Sequence, residues 1–121
     1  MNLVKNEVKK QRRIIIAEGE KAALQGYTLW GDRNIVVAAC GSKINRWQVR
    51  LIMKYCNPNE IIFAFDKGLD YEQIHKMCER YSAYCDFSYV CDAGNELRDK
   101  ESPFDRSDLI DKLLERRVKV I

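Results

Sequence analysis

Arg13-Ile14-Ile15-Ile16-Ala17-Glu18-Gly19-Glu20-Lys21 is a β-branched run that stops abruptly on a carboxylate and a glycine. Three consecutive isoleucines leave no polar face, so the segment suits a strand covered on both sides, as in a parallel sheet, better than a half-exposed one. Four further runs share this character: Asn34–Ala39, Glu60–Phe65, Phe87–Cys91 and Val118–Ile121. Between them the apolar residues recur at helical spacing. Glu20–Trp30 carries Ala23, Leu24 and Tyr27, and Asn45–Tyr55 carries Trp47, Val49, Leu51, Ile52 and Tyr55. Tyr71–Tyr84 carries Ile74, Met77, Cys78 and Tyr81. Asp105–Arg116 carries Leu109, Ile110, Leu113 and Leu114, with Ser107 or Asp105 as N-cap. Strand and helix alternate through short connections, which predicts an α/β fold: three layers, with a mostly parallel sheet flanked by helices. Trp30 and Trp47 are expected to pack at helix positions. Residues 1–12 are a polar lead-in, helical or frayed, and 13–121 form the domain proper.

The chain has 121 residues, 46% hydrophobic and 32% charged, a size and composition that fit one core. Twelve aromatics exclude a disordered chain, and six Gly with two Pro exclude a collagen-like or linker sequence. The net charge of +3 permits a phosphate-binding patch without demanding one. The basic start is followed by only four apolar residues before Glu18, too few for a signal peptide or a membrane span. Five cysteines without a C-x-x-C pair therefore read as reduced thiols of a cytoplasmic protein. His75 and Cys78 share a predicted helix face, but a structural zinc site takes four ligands, so core or surface roles suit them better.

In open α/β sheets ligands bind beyond the carboxyl ends of the strands. Those ends carry Glu18-Gly19-Glu20-Lys21, Cys40-Gly41-Ser42-Lys43, Phe65-Asp66-Lys67-Gly68-Leu69-Asp70 and Cys91-Asp92. Mg²⁺ or Mn²⁺ needs only one or two protein carboxylates when a substrate phosphate and water complete its shell. Glu18, Asp66, Asp70 and Asp92 are accordingly the candidate metal ligands, with Glu18 and Asp66 as the catalytic pair. Glu18 serves as ligand or as general acid/base. Gly41 and Ser42 offer backbone N–H groups to an anion, and Lys21, Lys43 and Lys67 offer countercharge. Each residue also has an ordinary role open to it. Glu18 and Glu20 suit the first turn of a helix, Asp66 suits an N-cap, and the lysines suit a solvated surface. The polar loop Asp92–Pro103 is long enough to suggest a function of its own.

Ile14–Ala22 resembles the first motif of the Toprim domain, a hydrophobic strand ending in Glu-Gly. Val37–Lys43 resembles its second strand and glycine turn, and Ile61–Asp66 the strand that carries its Asp-x-Asp motif. The likeness runs from about Arg13 to Arg117, and it is nearest to bacterial and phage-type DNA primases, which share a late stretch like Asp99-Lys100-Glu101-Ser102-Pro103-Phe104-Asp105. The resemblance implies divalent metal at the carboxylates and RNA primer synthesis on a single-stranded DNA template. It further implies nucleotides as substrates, a replicative helicase as a possible partner, and the cytoplasm of a bacterial or phage-infected cell. Such primases carry an upstream zinc-binding module, so the chain is expected to be a fragment or excised domain, inactive alone.

One departure stands out. The second aspartate of Asp-x-Asp falls on Gly68, which removes a ligand and a negative charge; Asp70, Asp92 and Asp99 are the candidate substitutes, although spacing alone does not select one. The alternatives are another Toprim protein (nuclease, topoisomerase or recombination mediator), a non-catalytic Toprim module that binds partners, and a receiver-like domain with Asp66 as phosphoacceptor. The last lacks the expected hydroxyl after the fourth strand, where Cys91-Asp92 stands.

Overall fold

The computed structural model describes residues 4–39, 41 and 43–120. Cys40 and Ser42, part of the predicted glycine turn, lie outside the described residues. Five strands form one sheet in the order β2-β1-β3-β4-β5: β1 Arg13–Ala17, β2 Val36–Ala38, β3 Glu60–Phe63, β4 Asp86–Tyr89 and β5 Val118–Val120. The helices are α1 Lys5–Gln11, α2 Glu20–Trp30, α3 Arg46–Tyr55, α4 Tyr71–Tyr81 and α5 Ile110–Glu115. The first four strands are parallel, with Ile16 beside both Val37 and Phe63, and Phe63 beside Tyr89. Only β5 is antiparallel, pairing Val120 with Phe87 and Val118 with Tyr89.

Ile14, Ile16, Ile61, Ile62, Phe63 and Phe87 are buried, as strands covered on both faces require. Each contributes about 1.5–3 kcal/mol of apolar transfer energy. Right-handed crossovers put α2 on one face and α3 and α4 on the other. Trp30 of α2 meets Phe104 edge-on with ring centroids 6.2 Å apart, so the Pro103–Asp105 turn shares the α2 face. Tyr81 of α4 donates to the Ile44 carbonyl ahead of α3 at 3.3 Å. α2 approaches β2 closely because Gly26 has no side chain: a Cβ there would lie 2.2 Å from Asn34 Oδ1. That oxygen accepts the Val36 N–H at 3.0 Å and opens β2.

The lead-in is helical: α1 buries Val8 and is tied to the amino end of the sheet through Gln11 Nε2, which donates to the Arg33 carbonyl at 2.9 Å. Three strands are shorter than their apolar runs, yet the flanking Ala64, Phe65 and Val90 stay buried, and the Ala64 and Val90 N–H groups still donate to the Ile16 and Phe63 carbonyls at 2.8 Å. The helix predicted over Asp105–Arg116 is corrected to α5 alone. Pro103 starts a 3-10 turn, Ser102 caps it, and Asp105 Oδ2 accepts the Ser102 N–H at 3.1 Å. That capping box uses up Asp105, and α5 begins five residues later with no side-chain cap. Tyr71–Tyr84 likewise ends at Tyr81, where Ser82 Oγ turns back to the Glu79 carbonyl.

Candidate active site

Two neighbouring parallel strands, β1 and β3, deliver Glu18 and Asp66 to the same end of the sheet. The ladder continues past both strands, with the Ala64 N–H on the Ile16 carbonyl at 2.8 Å. Glu18 Oε1 then accepts the backbone N–H of Asp66 at 3.1 Å, locking the two turns together. The Glu18 carbonyl accepts the Gly41 N–H at 2.9 Å, which brings the turn after β2 to the same place.

Both carboxyls are raised, each by burial first and then by a neighbouring negative charge. Burial, then the negative charge of Asp66, push Glu18 above the ordinary glutamate range, against the favourable Asp66 N–H. Burial, then the charge of Asp105, push Asp66 up as well, although a hydrogen bond with Ser102 and the charge of Lys21 oppose this. Partly buried like charges without a full counterion leave negative potential unmet at this end of the sheet.

Asp105 and Ser102 reach this place by a tertiary route. The loop after β4 folds back onto the turn after β3: the Lys67 N–H donates to the Glu101 carbonyl at 2.8 Å, and the Lys100 N–H to the Lys67 carbonyl at 2.9 Å. Asp105 is held by Gln25 Nε2 at 2.7 Å and lies 3.7 Å from Lys21 Nζ. Hydrogen bonding from Gln25 holds its carboxyl below the ordinary aspartate range. Asp105, Ser102 and Gln25 are the neighbours that sequence reasoning missed.

The remaining predicted ligands go elsewhere. Asp70 caps α4, accepting the Glu72 N–H at 2.9 Å. Asp92 is buried and clasps its own loop: Oδ1 accepts the Glu96 N–H at 2.9 Å, and Oδ2 accepts the Leu97 N–H at 2.8 Å and Lys67 Nζ at 2.7 Å. Burial works to raise its carboxyl, but Lys67 and the two N–H groups outweigh that and hold it low. Lys67 is thereby an anchor for the loop and not free countercharge, and Lys21 faces Asp105. Lys43 and Gly41 are exposed. Ser42 lies outside the described residues. Among the described residues no three His, Cys, Asp or Glu side chains gather to hold one metal ion. Of the four predicted carboxylates, the structure brings only Glu18 and Asp66 together. His75 pairs with the Tyr89 hydroxyl at 3.1 Å, and Cys78 is buried in the core, its thiol pushed up to about 12 by burial. Cys56, Cys78, Cys85 and Cys91 are free thiols.

Gly68 sits at φ +107°, where a side chain is strained. A Cβ added there would lie 3.4 Å from Asp99 Oδ1. An aspartate at this position would meet both an unfavourable backbone and a facing carboxylate.

No protein-family model matches the chain. The SPbeta prophage-derived uncharacterized protein YorJ of Bacillus subtilis (strain 168) is 22% identical over 138 residues, covering 99% of this chain and 36% of that protein. The fold is similar to the Aquifex aeolicus primase zinc-binding and RNA polymerase domains, with TM-score 0.70 and 17% identity over 97% of this chain and 28% of that one. It is also similar to the RNA polymerase domain of Mycobacterium tuberculosis primase DnaG in complex with double-stranded DNA, with TM-score 0.69 and 15% identity over 97% and 38% of the two chains. A DnaG primase catalytic domain bound to ssDNA gives TM-score 0.64 and 12% identity over 93% and 37%. These likenesses establish a primase-like α/β fold. The chain spans about a third of the length of the proteins it matches. Among the described residues no helix is long and apolar enough to cross a membrane.

Proposed function

We propose that this chain is a Toprim-like domain of a primase, carrying the carboxylates for metal-dependent nucleotidyl transfer in RNA primer synthesis on single-stranded DNA. The observation that carries this reading is the Glu18–Asp66 pair, joined at 3.1 Å through the Asp66 N–H, with both carboxyls raised by burial and by neighbouring negative charge. Such a pair suits Mg²⁺ or Mn²⁺, because a cation meets the charge that the protein leaves unbalanced, and Mg²⁺ accepts two carboxylates with water and phosphate. Bound there, the ion would supply charge stabilisation for a transferring phosphoryl group. Asp66 is the metal-holding residue. Glu18 holds the Asp66 turn and, with its raised carboxyl, is matched to moving a proton at an attacking or leaving hydroxyl. Lys21, beside Asp105, offers a cation to balance phosphate. Template DNA and nucleotides are the proposed ligands, and a replicative helicase the proposed partner of the longer protein.

The test is a calorimetric titration with Mn²⁺, repeated on Asp66→Asn. Saturable binding that disappears in the variant is expected. Absence of binding by the folded wild-type chain overturns the metal site, and favours the second reading. That reading, a Toprim-like module kept for contacts, draws on Gly68, where the family's second aspartate is missing and the positive φ disfavours one.

A further inference from the structure

Between Asp32 and Glu60 the chain contains no acidic residue, although it has 18 elsewhere. α3 lies in the middle of this span. It turns Val49 and Ile52 into the core and presents Arg46, Trp47, Arg50 and Lys54 to solvent. Trp47 is 67% exposed and Tyr55 42%, so that among the described residues two of the three large exposed hydrophobics lie on one helix. Trp47 is therefore not the packing residue its spacing suggested. Lys5 of α1 and Lys54 extend the surface, with their ammonium groups 5.3 and 5.5 Å from the Tyr55 ring centroid. Among the described residues none of the five cations and aromatics of α3's outer face has an acidic partner.

We infer that the outer face of α3 docks single-stranded DNA, with Trp47 and Tyr55 as stacking surfaces for bases and Arg46, Arg50 and Lys54 on the phosphates. Eight residues separate the two aromatics, about 12 Å along the helix axis, far enough apart to address different bases. Exposed aromatic faces interleaved with cations are what single strands need, since their bases are unstacked and their charge is continuous. A duplex hides its base faces from such a surface. A membrane-surface helix separates a cationic from an apolar face, whereas here the apolar face is spent on the core and the cations share a face with the aromatics. α3 begins just beyond β2, so its Arg46–Trp47 end lies at the same end of the parallel sheet as Glu18 and Asp66, and a strand laid along it leads toward them. The choice of a DNA strand rests on the primase reading; the docking surface itself rests on α3.

The experiment titrates the 121-residue chain, in chelator and without metal, with an oligothymidylate about a dozen nucleotides long, following tryptophan emission. Trp30 is the only other tryptophan and packs against Phe104, so Trp47 is the reporter. Quenching is expected in the wild type and lost in Trp47→Phe. Anisotropy of labelled DNA should show roughly five-fold or greater weakening in Trp47→Ala. Arg50→Ala and Lys54→Ala should each lower the salt slope by about one. No binding, or binding unaltered in these surface variants, overturns the inference. So does equal quenching by duplex DNA, polyglutamate or anionic vesicles, or tighter binding of oligouridylate. Because no metal is present, failure of the catalytic reading leaves this result standing, and the reverse also holds.

Discussion

Glu60 and Asp66 sit at opposite ends of one strand and its extension, and their environments pull them in opposite directions. Glu60, where β3 begins, is gripped by Arg117 through two hydrogen bonds, at 2.7 Å and 2.9 Å, and by Ser88 Oγ at 2.6 Å. Burial alone would raise its carboxyl, yet these partners hold it below the ordinary glutamate range. Asp66, beyond the other end, is raised by burial and by the charge of Asp105. The amino end of the sheet is built to hold an ionised acid; at the carboxyl end Glu18 and Asp66 are acids whose ionisation is opposed. A protein selected only for stability would satisfy both, so the unsatisfied end is the one where a ligand is expected to finish the electrostatics.

The largest effect should come from breaking the satisfied end. Arg117→Met keeps the aliphatic stem but leaves Glu60, only 13% exposed, without its guanidinium. Removing one partner of such a pair costs about 3–5 kcal/mol, the lower end applying here because Ser88 remains. Urea unfolding near neutral pH measures it. The sign with pH follows from the depressed carboxyl: the pair's contribution is full above the ordinary glutamate value of ~4.3 and is lost as the pH falls through the lower folded value. The difference between wild type and variant should therefore shrink in acid.

Asp92 is the intermediate case, an acid at the carboxyl end of the sheet that is nevertheless satisfied. Its Oδ2 takes both the Leu97 N–H and Lys67, and these contacts set the loop that returns Ser102 and Asp105 to Asp66. Asp92→Ala leaves a buried N–H unpaired and should cost about 2 kcal/mol. The loss should be concentrated in residues 92–103, where amide hydrogen exchange is expected to speed up while β1 and β3 keep their protection.

Asp92 also shows why the candidate site was only partly legible. An acid just past a parallel strand looks the same in sequence whether it faces a ligand or ties down its own loop. Glu18 and Asp66 could be found because strand ends follow from apolar runs, and two adjacent parallel strands must place their ends together. Ser102 and Asp105 could not, since they arrive through backbone pairing of residues 67 and 100–101, a tertiary contact with no periodic signature. The five strands were legible for the same reason as Glu18. The reversed direction of β5 was not, because nothing in Val118–Val120 distinguishes the two ladders. Trp47 was misread because apolar character was counted without its angle from Val49 and Ile52. The fold is written in local pattern, and the site's second half in long-range closure.

The smallest effect in stability, and the sharpest in sign, belongs to Asp66→Asn. An amide keeps the size and an acceptor oxygen but removes the charge that burial and Asp105 oppose. Because the folded-state carboxyl is raised, its protonated form is favoured by folding; the wild type loses stability as the pH rises from the ordinary aspartate value of ~3.9 through the higher folded value. The variant should therefore be more stable than wild type by ~0.5–1 kcal/mol near neutral pH, a gain kept small because the site is half-exposed and screened. In acid, where aspartic acid and asparagine carry the same charge, the two should converge. Adding Mn²⁺ should reverse the order, since an ion bound only by the folded wild type stabilises it by RT ln(1 + [L]/Kd) and leaves the variant where it was. Urea unfolding at two pH values, with and without metal, reads all three terms. A variant less stable than wild type in the absence of metal would place Asp66 with Glu60, among the acids that serve the fold.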